Sequence, residues 1–418
     1  MSEVTWEITS LSELGTFSRG KSKHRPRNDI KLFEGGTYPL VQTGDVKAAN
    51  LYITKNDSYY NDFGLKQSKL WPAGTLCITI AANIAETAIL SYPMCFPDSI
   101  VGFNANPEKS SELFVYYFFE YIKKEIQKSA SGSIQDNINI DYLSKMRIKV
   151  PEKEYQDKIV DLLSSIDKKI LLNNQINQEL EDMAKTLYDY WFVQFDFPDQ
   201  NGKPYKSSGG KMIYNPELKR EIPEGWEVET LKDFESKIIT GKTPSRANSD
   251  NFGGEIPFIT IGDIRGNTFI YSTSETLTDL GASVQQNKYL PEGSLCVSCI
   301  ATVGEIGFTT EWSHTNQQIN SIVFEDETNR YYLYFALKNY FENANASAKT
   351  GNTFANMNKE DFSGIRIILP RNEIKNNFHK ITEPYFAQIK CLQGQNQELT
   401  QLRDWLLPML MNGQVKVE

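Results

Sequence analysis

The tetrapeptide Asn177-Gln178-Glu179-Leu180 recurs unchanged as Asn396-Gln397-Glu398-Leu399 in a chain of 418 residues. Both copies lie in stretches whose apolar side chains are separated by alternating steps of four and three residues. That spacing is typical of the seam of a coiled coil, where helices pack along one apolar stripe. The sequence therefore predicts two long helices of the same kind, one in each half of the chain.

The two predicted seams occupy equivalent positions in the repeat. The first comprises Ile159, Leu163, Ile166, Ile170, Asn173, Asn177, Leu180, Ala184, Leu187 and Trp191. The second comprises Phe378, Thr382, Tyr385, Ile389, Leu392, Asn396, Leu399, Arg403, Leu406 and Leu410. A helix from Ile159 to Trp191 is about 50 Å long, more than one small domain needs for its own core. Pro384 interrupts the second pattern, and we expect it either to kink that helix or to mark its start.

An antiparallel pairing is the natural arrangement of these helices. The polar, glycine-rich stretch 199–210 separates the two halves and lets the chain reverse. In such a pair Asn177 and Asn396, at equivalent seam positions, are expected to lie close together. A buried polar residue in a seam lowers stability but can fix the register of the helices.

The repeat also covers the residues before each helix. Pro72, Gly74, Leu76, Cys77 and Glu86 match Pro291, Gly293, Leu295, Cys296 and Glu305 at the same offset that relates Asn177 to Asn396. Apolar runs bounded by turn residues, such as 74–80 and 293–300, predict strands, and the aromatic stretches 113–126 and 331–341 predict helices. Each half is therefore predicted to be a mixed α/β domain of about 150 residues followed by a long helix.

The predicted fold class is α+β: two similar mixed α/β domains joined by two long helices that form an antiparallel coiled coil, with an internal pseudo-twofold repeat. The predicted segments are a first globular domain at 1–151, a first spacer helix at 152–195, a connector at 196–212, a second globular domain at 213–370, a second spacer helix at 371–413 and a tail at 414–418.

Composition narrows the class of protein. With 40% hydrophobic and 23% charged residues, the chain is expected to fold as an ordinary soluble protein. It has no apolar run of the roughly 18–20 residues that span a bilayer, and its polar start is unlike a secretory signal, so a cytoplasmic protein without a membrane partner is predicted. Five scattered cysteines, Cys77, Cys95, Cys296, Cys299 and Cys391, favour a reducing compartment.

Motifs for catalysis and metal binding are missing from the sequence. It contains no Gly-x-Gly and no Pro-Pro, so the usual nucleotide fingerprints and the adenine-positioning loop of amino-methyltransferases are lacking. Cys296 and Cys299 have no second cysteine pair, so we expect buried side chains rather than a zinc site. Glu86 and Glu305 are expected to be structural or base-contacting, because no base, nucleophile or metal ligand accompanies them. The sequence predicts a binding protein rather than an enzyme.

Polar loops at matching places in the two halves are the candidate binding surfaces. Residues 19–27 carry five Arg and Lys side chains, and 240–246 is the counterpart. Such loops suit contacts to phosphates and base edges, although ordinary turns use the same residue types. The net charge of −9 is thus an average over locally basic and acidic regions. The candidate DNA-binding residues are Arg19, Lys21, Lys23, Arg25, Arg27, Thr43, Asp45, Ser133, Gln135, Lys242, Thr243, Ser245, Arg246, Thr260, Asp263, Lys349, Thr350 and Asn352.

Further motifs resemble a known family. The first is the segment 195–212, which contains Phe-Asp-Phe-Pro and Gly-Lys-Pro-Tyr-Lys-Ser-Ser-Gly-Gly-Lys-Met. The others are Glu-Ile-Pro-Glu-Gly-Trp-Glu-Val at 221–228, Gly-Lys-Thr-Pro-Ser at 241–245 and the closing segment at 402–413. Together with the repeat they resemble the specificity subunit of type I restriction-modification systems, over nearly the whole chain. In that family two target recognition domains each read one half of a split DNA sequence, paired helices fix their separation, and the subunit has no catalytic site.

The resemblance also implies partners. These are double-stranded DNA with a bipartite target, two modification subunits that methylate adenine, and two restriction subunits that cut DNA after ATP-driven translocation. S-adenosylmethionine, ATP and Mg²⁺ belong to those subunits, so this chain is expected to bind no cofactor or metal. Trp191 and Trp405, near helix ends, are expected to dock modification subunits, with packing inside the chain as the alternative for Trp191. A coiled-coil scaffold without DNA recognition and an enzyme with an unrecognised active site are the alternative functions.

Overall fold

A computed structural model describes residues 4–81, 83–132, 140–348 and 356–417. The chain forms two compact units: Met1–Ile170 with Leu399–Glu418, and Leu171–Glu398. Each unit therefore combines one globular domain with a part of each long helix. The units cut across the segment boundaries predicted from the sequence, because the helices pack tightly against the domains at both of their ends.

The first unit is built on a five-stranded sheet of order β2-β10-β7-β8-β4, beside a four-stranded sheet of order β5-β3-β9-β6 and the pair β1-β11. Its strands are β1 Trp6–Ser10, β2 Gly15–Arg19, β3 Tyr38–Leu40, β4 Tyr52–Ile53, β5 Ser58–Tyr60, β6 Leu70–Trp71, β7 Leu76–Thr79, β8 Thr87–Leu90, β9 Met94–Cys95, β10 Ile100–Ala105 and β11 Arg147–Pro151. Its helices are α1 Leu11–Leu14, α2 Thr43–Ala48, α3 Asp62–Gln67, α4 Glu112–Gly132 and α5 Ile140–Lys145, and a 3-10 turn lies at Ile30–Leu32. The long helix α6, Lys153–Tyr188, begins in this unit.

The second unit contains a five-stranded sheet of order β15-β22-β19-β20-β17, a three-stranded sheet of order β18-β16-β21 and the pairs β12-β13 and β14-β23. Its strands are β12 Met212–Asn215, β13 Arg220–Pro223, β14 Glu227–Thr230, β15 Ile238–Thr240, β16 Phe252–Ile259, β17 Phe269–Ile270, β18 Glu275–Leu277, β19 Leu295–Ser298, β20 Ile306–Thr309, β21 His314–Thr315, β22 Ile319–Ile322 and β23 Arg366–Leu369. Its helices are α7 Leu231–Phe234, α8 Ile261–Ile264, α9 Asp279–Ser283, α10 Arg330–Ala348 and α11 Lys359–Ser363, with 3-10 turns at Ser249–Asn251, Gln286–Lys288 and Glu327–Asn329. The long helix α12, Asn372–Met411, begins in this unit.

The two five-stranded sheets are copies of each other. In both, the last strand of the order pairs parallel to its neighbour and the other neighbours pair antiparallel. Cys77 faces Gly102 in the first sheet, and their repeat equivalents, Cys296 and Ser321, face each other in the second. The predicted repeat is confirmed in strand order and in register.

An aromatic helix packs against each sheet, as the sequence predicted. In the first unit Phe114 and Tyr117 of α4 share one buried cluster with Phe103 of β10. In the second, Tyr334 of α10 stacks on Phe308 of β20 with ring centroids 5.4 Å apart. Burying one such side chain stabilises a fold by about 1.5–3 kcal/mol, so these layers form the centres of the two cores.

The two long helices are continuous. Helix α6 has 36 residues and is followed by one π-helical turn at Asp189–Val193. Helix α12 has 40 residues and passes through Pro384 without a break. The helix begins at Asn372, so Pro384 does not mark its start. Because Pro384 is exposed, the carbonyl of Lys380 that it leaves without an N–H donor can bond to water.

The helices run antiparallel in each unit, as predicted. In the first unit Arg403 Nη1 of α12 donates to Asp167 Oδ1 of α6 at 2.9 Å, and Val417 N donates to the Tyr155 hydroxyl at 2.8 Å. In the second unit Asn173 Nδ2 donates to Asn396 Oδ1 at 2.8 Å, while the rings of Trp191 and Phe378 lie 6.1 Å apart. Every predicted seam position on both helices is buried or half-buried.

Polar contacts attach each globular domain to the helices of its unit. Glu181 of α6 accepts hydrogen bonds from Thr268, Tyr334 and Lys338. Burial raises the pKa of this carboxyl, but the Lys338 ammonium and the two hydroxyl groups outweigh burial and hold the pKa below its usual value. In the first unit Tyr117 of α4 donates to Asp167 Oδ2 at 2.6 Å. Each globular domain is therefore attached to a long helix by hydrogen bonds, with an ion pair in addition in the second unit.

The asparagine contact in the seam differs from the predicted one. Asn396 bonds to Asn173 and Asn174, each at 2.8 Å, rather than to Asn177. Asn177 is 8% exposed, and none of the described residues bonds to its amide oxygen or nitrogen. By the repeat, the contact equivalent to Asn173 with Asn396 joins Leu392 to Asn177, and leucine offers no polar atom. The seam therefore buries one asparagine without a described partner.

Replacing Asn177 by Leu is expected to raise the melting temperature, because a buried amide without partners costs about 1–3 kcal/mol. Asn396→Leu is the matched variant. It is expected to lower the melting temperature, since it removes the partner of Asn173 and Asn174. Thermal unfolding of both variants beside the wild type, followed by calorimetry, tests the pair. A lower melting temperature for Asn177→Leu would contradict the assignment.

Candidate nucleic-acid interface

The first basic loop, residues 19–27, leaves the edge strand β2 of the first five-stranded sheet. It lies against a first facing loop, residues 97–99, which leads into the neighbouring strand β10. Gly20 N donates to Ile100 O at 2.9 Å, and Lys21 N donates to Phe96 O at 3.2 Å. These two hydrogen bonds hold the start of the basic loop to both ends of the facing loop.

The second basic loop, residues 240–246, is held in the same way. Gly241 N donates to Ile319 O at 3.1 Å, and Lys242 N donates to Thr315 O at 3.0 Å. These acceptors are the repeat equivalents of Ile100 and Phe96, so residues 316–318 form the second facing loop. Although the basic loops differ in length and sequence, their attachment to the sheet is the same.

Glycine is required where each basic loop crosses its facing loop. A Cβ atom on Gly20 would lie 2.2 Å from the carbonyl oxygen of Pro97, and one on Gly241 would lie 2.2 Å from that of Asn316. Neither backbone oxygen can move without disturbing the facing loop. The recurring Gly-Lys pair thus has a steric reason in both units.

The cationic side chains of both basic loops are exposed. In the first, Arg27 Nη2 lies 2.5 Å from Asp98 Oδ1 of the facing loop, and Arg25 Nη2 lies 3.9 Å from Asp98 Oδ2. Arg25 also donates to the carbonyls of Ser22 and His24. One carboxylate therefore neutralises part of the charge of two arginines.

In the second basic loop Arg246 forms a two-pronged ion pair. Its Nη1 and Nη2 atoms donate to the two carboxylate oxygens of Glu275 on β18, each at 2.8 Å. The guanidinium also lies over the ring of Phe252, 5.3 Å from its centre. The hydrogen bond from Arg246 holds the pKa of Glu275 below its usual value. At the repeat equivalent of Asp98 stands Gln317, which accepts a hydrogen bond from Thr243.

Asp98, Glu275 and Gln317 were not among the residues predicted from the sequence. A signal for two of them existed, because Asp98-Ser99-Ile100 and Gln317-Gln318-Ile319 align at the constant offset of the repeat. Glu275 gave no such signal, since its contact with Arg246 depends on how β18 packs beside the loop.

Three other candidates act in helix capping, and a fourth lies beside one of them. Asp45 accepts from Gln42 N at the start of α2, at 2.8 Å. Asp263 accepts from both the backbone N and the hydroxyl of Thr260 at the start of α8, each at 2.7 Å, and Thr43 lies in the first turn of α2. Turn chemistry thus accounts for the recurrence of these residues.

The remaining candidates divide into two groups. Ser245 is exposed in the second basic loop, and its carbonyl accepts from Asn251 Nδ2 at 2.9 Å. Ser133, Gln135, Lys349, Thr350 and Asn352 lie outside the described residues. The described site in each unit therefore consists of a basic loop and its facing loop.

Comparison with known proteins identifies the fold family. The type I restriction modification DNA specificity domain matches residues 3–182 and again residues 223–401. The chain belongs to this family. The double match coincides with the repeat, each copy containing one globular domain and most of one long helix.

Relatives in this family align with nearly the full length of the chain. It is 36% identical to the type I restriction enzyme HindI specificity subunit of Haemophilus influenzae, covering 93% of this chain and 97% of that protein. It is 26% identical to the MjaIX specificity subunit of Methanocaldococcus jannaschii, covering 99% and 94%. A crystal structure of the type I restriction-modification S subunit from M. genitalium aligns over 98% of this chain and 97% of that chain with a TM-score of 0.55 and 15% identity, which shows a shared fold.

The carboxylates and thiols singled out in the sequence have structural contacts. Glu86 is 2.6 Å from Lys123 Nζ, and Glu305 is 3.1 Å from Arg265 Nε. Burial raises the pKa of the Cys296 thiol to about 12 and that of Cys299 to about 11, which disfavours the thiolate that metals bind. The described residues contain no group of side chains suited to a metal ion. No helix among them is long and apolar enough to cross a membrane.

Substituting Ala for Gly20 or Gly241 is expected to displace one basic loop and weaken binding at one half of the DNA target only. The physical reason is the 2.2 Å approach to a backbone oxygen. Gly44→Ala is the control, because nothing lies within 4 Å of a Cβ atom built there. Binding of the assembled complex to duplexes altered in one half-site measures the effect. Equal losses for Gly44→Ala would contradict the steric explanation.

Proposed function

We propose that the chain is the specificity subunit of a type I restriction-modification complex and that each unit reads one half of a bipartite DNA sequence. The observation that supports this proposal is the duplicated site. In each unit a basic loop is hydrogen-bonded to a facing loop, at equivalent edges of the two five-stranded sheets. The backbone attachment of the basic loop is the same in both units, whereas the side chains of the two loops differ. Two related surfaces with different side chains suit two different half-sites.

The chemistry of the loops favours DNA. Exposed Lys and Arg side chains attract phosphates, and the hydroxyl and amide side chains of both loops can bond to base edges in the major groove. A protein scaffold would not need cations at equivalent positions in both units. Salt-sensitive binding of the assembled complex to duplex DNA separates the two functions, since each phosphate contact adds about 0.9 to the salt slope.

Helices α6 and α12 are proposed to set the distance between the half-sites. Each begins in one unit and ends in the other. Half-sites centred about 34–36 Å apart fall on one side of the duplex. We propose that the paired helices hold this distance.

Methylation and cleavage are assigned to other subunits. We propose two modification subunits, which bind S-adenosylmethionine, and two restriction subunits, which use ATP and Mg²⁺. Within this scheme the chain contributes recognition and assembly, in the cytoplasm where the DNA is. This assignment agrees with the relatives, which are named specificity subunits.

Inserting seven residues into both helices, near Ile170 and Leu399, is expected to lengthen the spacer of the target and leave both half-sites unchanged. A heptad preserves the seam and adds about 10 Å of helix, close to three base pairs. Sequencing methyladenine across the genome, after co-expression with the modification subunit, reads the target directly. An altered half-site would contradict the ruler role, and a wild-type complex without a bipartite motif would contradict the function itself.

A surface on α12 is proposed to dock a modification subunit. Trp405 is 56% exposed and Leu402 is 44% exposed, one turn apart on the helix. Trp191, by contrast, is 5% exposed and packs in the core of the second unit. Its place is therefore the alternative considered for it, packing inside the chain. Aromatic side chains left in solvent commonly anchor protein interfaces.

Trp405→Ala is expected to reduce co-purification of the modification subunit, because alanine removes the aromatic anchor. Trp312→Ala is the matched control, since Trp312 is also exposed, at 54%, but lies in a loop of the second unit. Pull-down from cells that express both subunits gives the comparison. A normal yield with Trp405→Ala would remove this surface from the interface.

A further inference from the structure

Some cationic side chains of the basic loops are paired with a carboxylate and others are not. Arg27 is paired with Asp98, and Arg246 is paired with Glu275. Among the described residues, no carboxylate forms a salt bridge with Arg19, Lys21, Lys23 or Lys242. The same division holds in both units, although the carboxylates come from different elements, a facing loop in the first and strand β18 in the second.

A paired arginine is poorly suited to a phosphate. Its charge is offset by a carboxylate within 3 Å, and that carboxylate would repel the phosphate. An unpaired lysine keeps its full charge and has no carboxylate beside it to repel the phosphate. Its ammonium group acts as a point charge on a flexible side chain. The unpaired lysines are therefore the better phosphate ligands.

An arginine-carboxylate pair matches the edge of a G·C base pair. A guanidinium has five N–H groups, and Glu275 takes one from Nη1 and one from Nη2, so the edge formed by Nε and Nη2 remains able to donate two parallel bonds. Guanine presents O6 and N7 as acceptors for such a fork, and cytosine N4 donates to carboxylates. Phe252 beneath the guanidinium limits its motion, which reduces the entropy lost on binding.

We infer that Arg246 with Glu275, and Arg27 with Asp98, each read one G·C base pair, in the second and first half-sites respectively, while Lys21, Lys23 and Lys242 bind phosphates. The inference deepens the proposed function and rests on it. Arg25 is excluded from base reading, because it donates to the carbonyls of Ser22 and His24 in its own loop.

The decisive variant is Arg246→Lys, which keeps the charge but loses the fork. The complex of full-length chain and modification subunit is tested by sequencing methyladenine genome-wide. The expected result is relaxation of one G·C position in the second half-site, with the first half-site unchanged. A motif identical to the wild type, or relaxation in the first half-site, would overturn the inference. Absence of a bipartite motif in the wild type would instead overturn the proposed function.

DNA-binding measurements provide a second test, for a variant whose complex methylates too few sites for the target motif to be determined by sequencing. The purified wild-type complex is expected to bind about 5- to 150-fold more weakly when the G·C pair is replaced, the discrimination of a bidentate base contact. Glu275→Gln, which disturbs the pair but keeps Arg246, is expected to reduce that ratio. Undiminished discrimination by Glu275→Gln and Arg246→Lys alike would overturn the assignment. Arg27→Lys tests the first half-site by the same two readouts.

Lys242→Ala provides the contrast. It is expected to weaken binding to all sequences equally and to lower the salt slope by about 0.9, the loss of one phosphate contact. Arg246→Lys is expected to leave the slope unchanged. A change of base preference for Lys242→Ala, or a lower slope for Arg246→Lys, would overturn the division of roles.

Discussion

The buried seam between α6 and α12 is the interaction on which the rest of the molecule depends. A long helix with an apolar stripe is not stable alone in water, and here each helix covers the stripe of the other in both units. Glu181 and Asp167 of α6 bind the globular domains through Tyr334, Lys338 and Tyr117. The basic loops are held at edges of sheets attached in this way, so their positions follow from the packing of the helices.

Much of this fold could be predicted from the sequence, because the pattern that predicts each helix or strand occurs twice, once in each half of the chain. The aromatic helices, the matching strands and the seam positions all have periodic patterns that depend on local spacing. The register of the helices could not be predicted, since a shift of four residues leaves the apolar pattern nearly unchanged. Asn396 therefore meets Asn173 rather than Asn177, and a helical Pro384 is tolerated because it faces solvent.

The site was only partly predictable. The basic loops and their glycines were evident, because cations and turn residues recur at matching places. The partners of the arginines were not, since Arg27 and Asp98 are 71 residues apart and the strand pairing places Ser58, which has no carboxylate, at the position equivalent to Glu275. Thr260 and Asp263 had the composition of a binding loop, yet their side chains cap α8. Residue type alone does not distinguish these roles, and the contacts of each side chain do.

The amide of Asn177, which has no partner among the residues that the structure describes, marks the place where the two halves of the seam differ. Two identical copies of the first half, associated with the same register, would place Asn173 of one copy against Asn177 of the other, twice. Both amides would then have a hydrogen-bonding neighbour. In this chain Leu392 stands at the position equivalent to Asn173, so Asn177 has no such neighbour while Asn396 has one. The seam therefore keeps the symmetry of the repeat in its apolar positions and departs from it in its polar contacts.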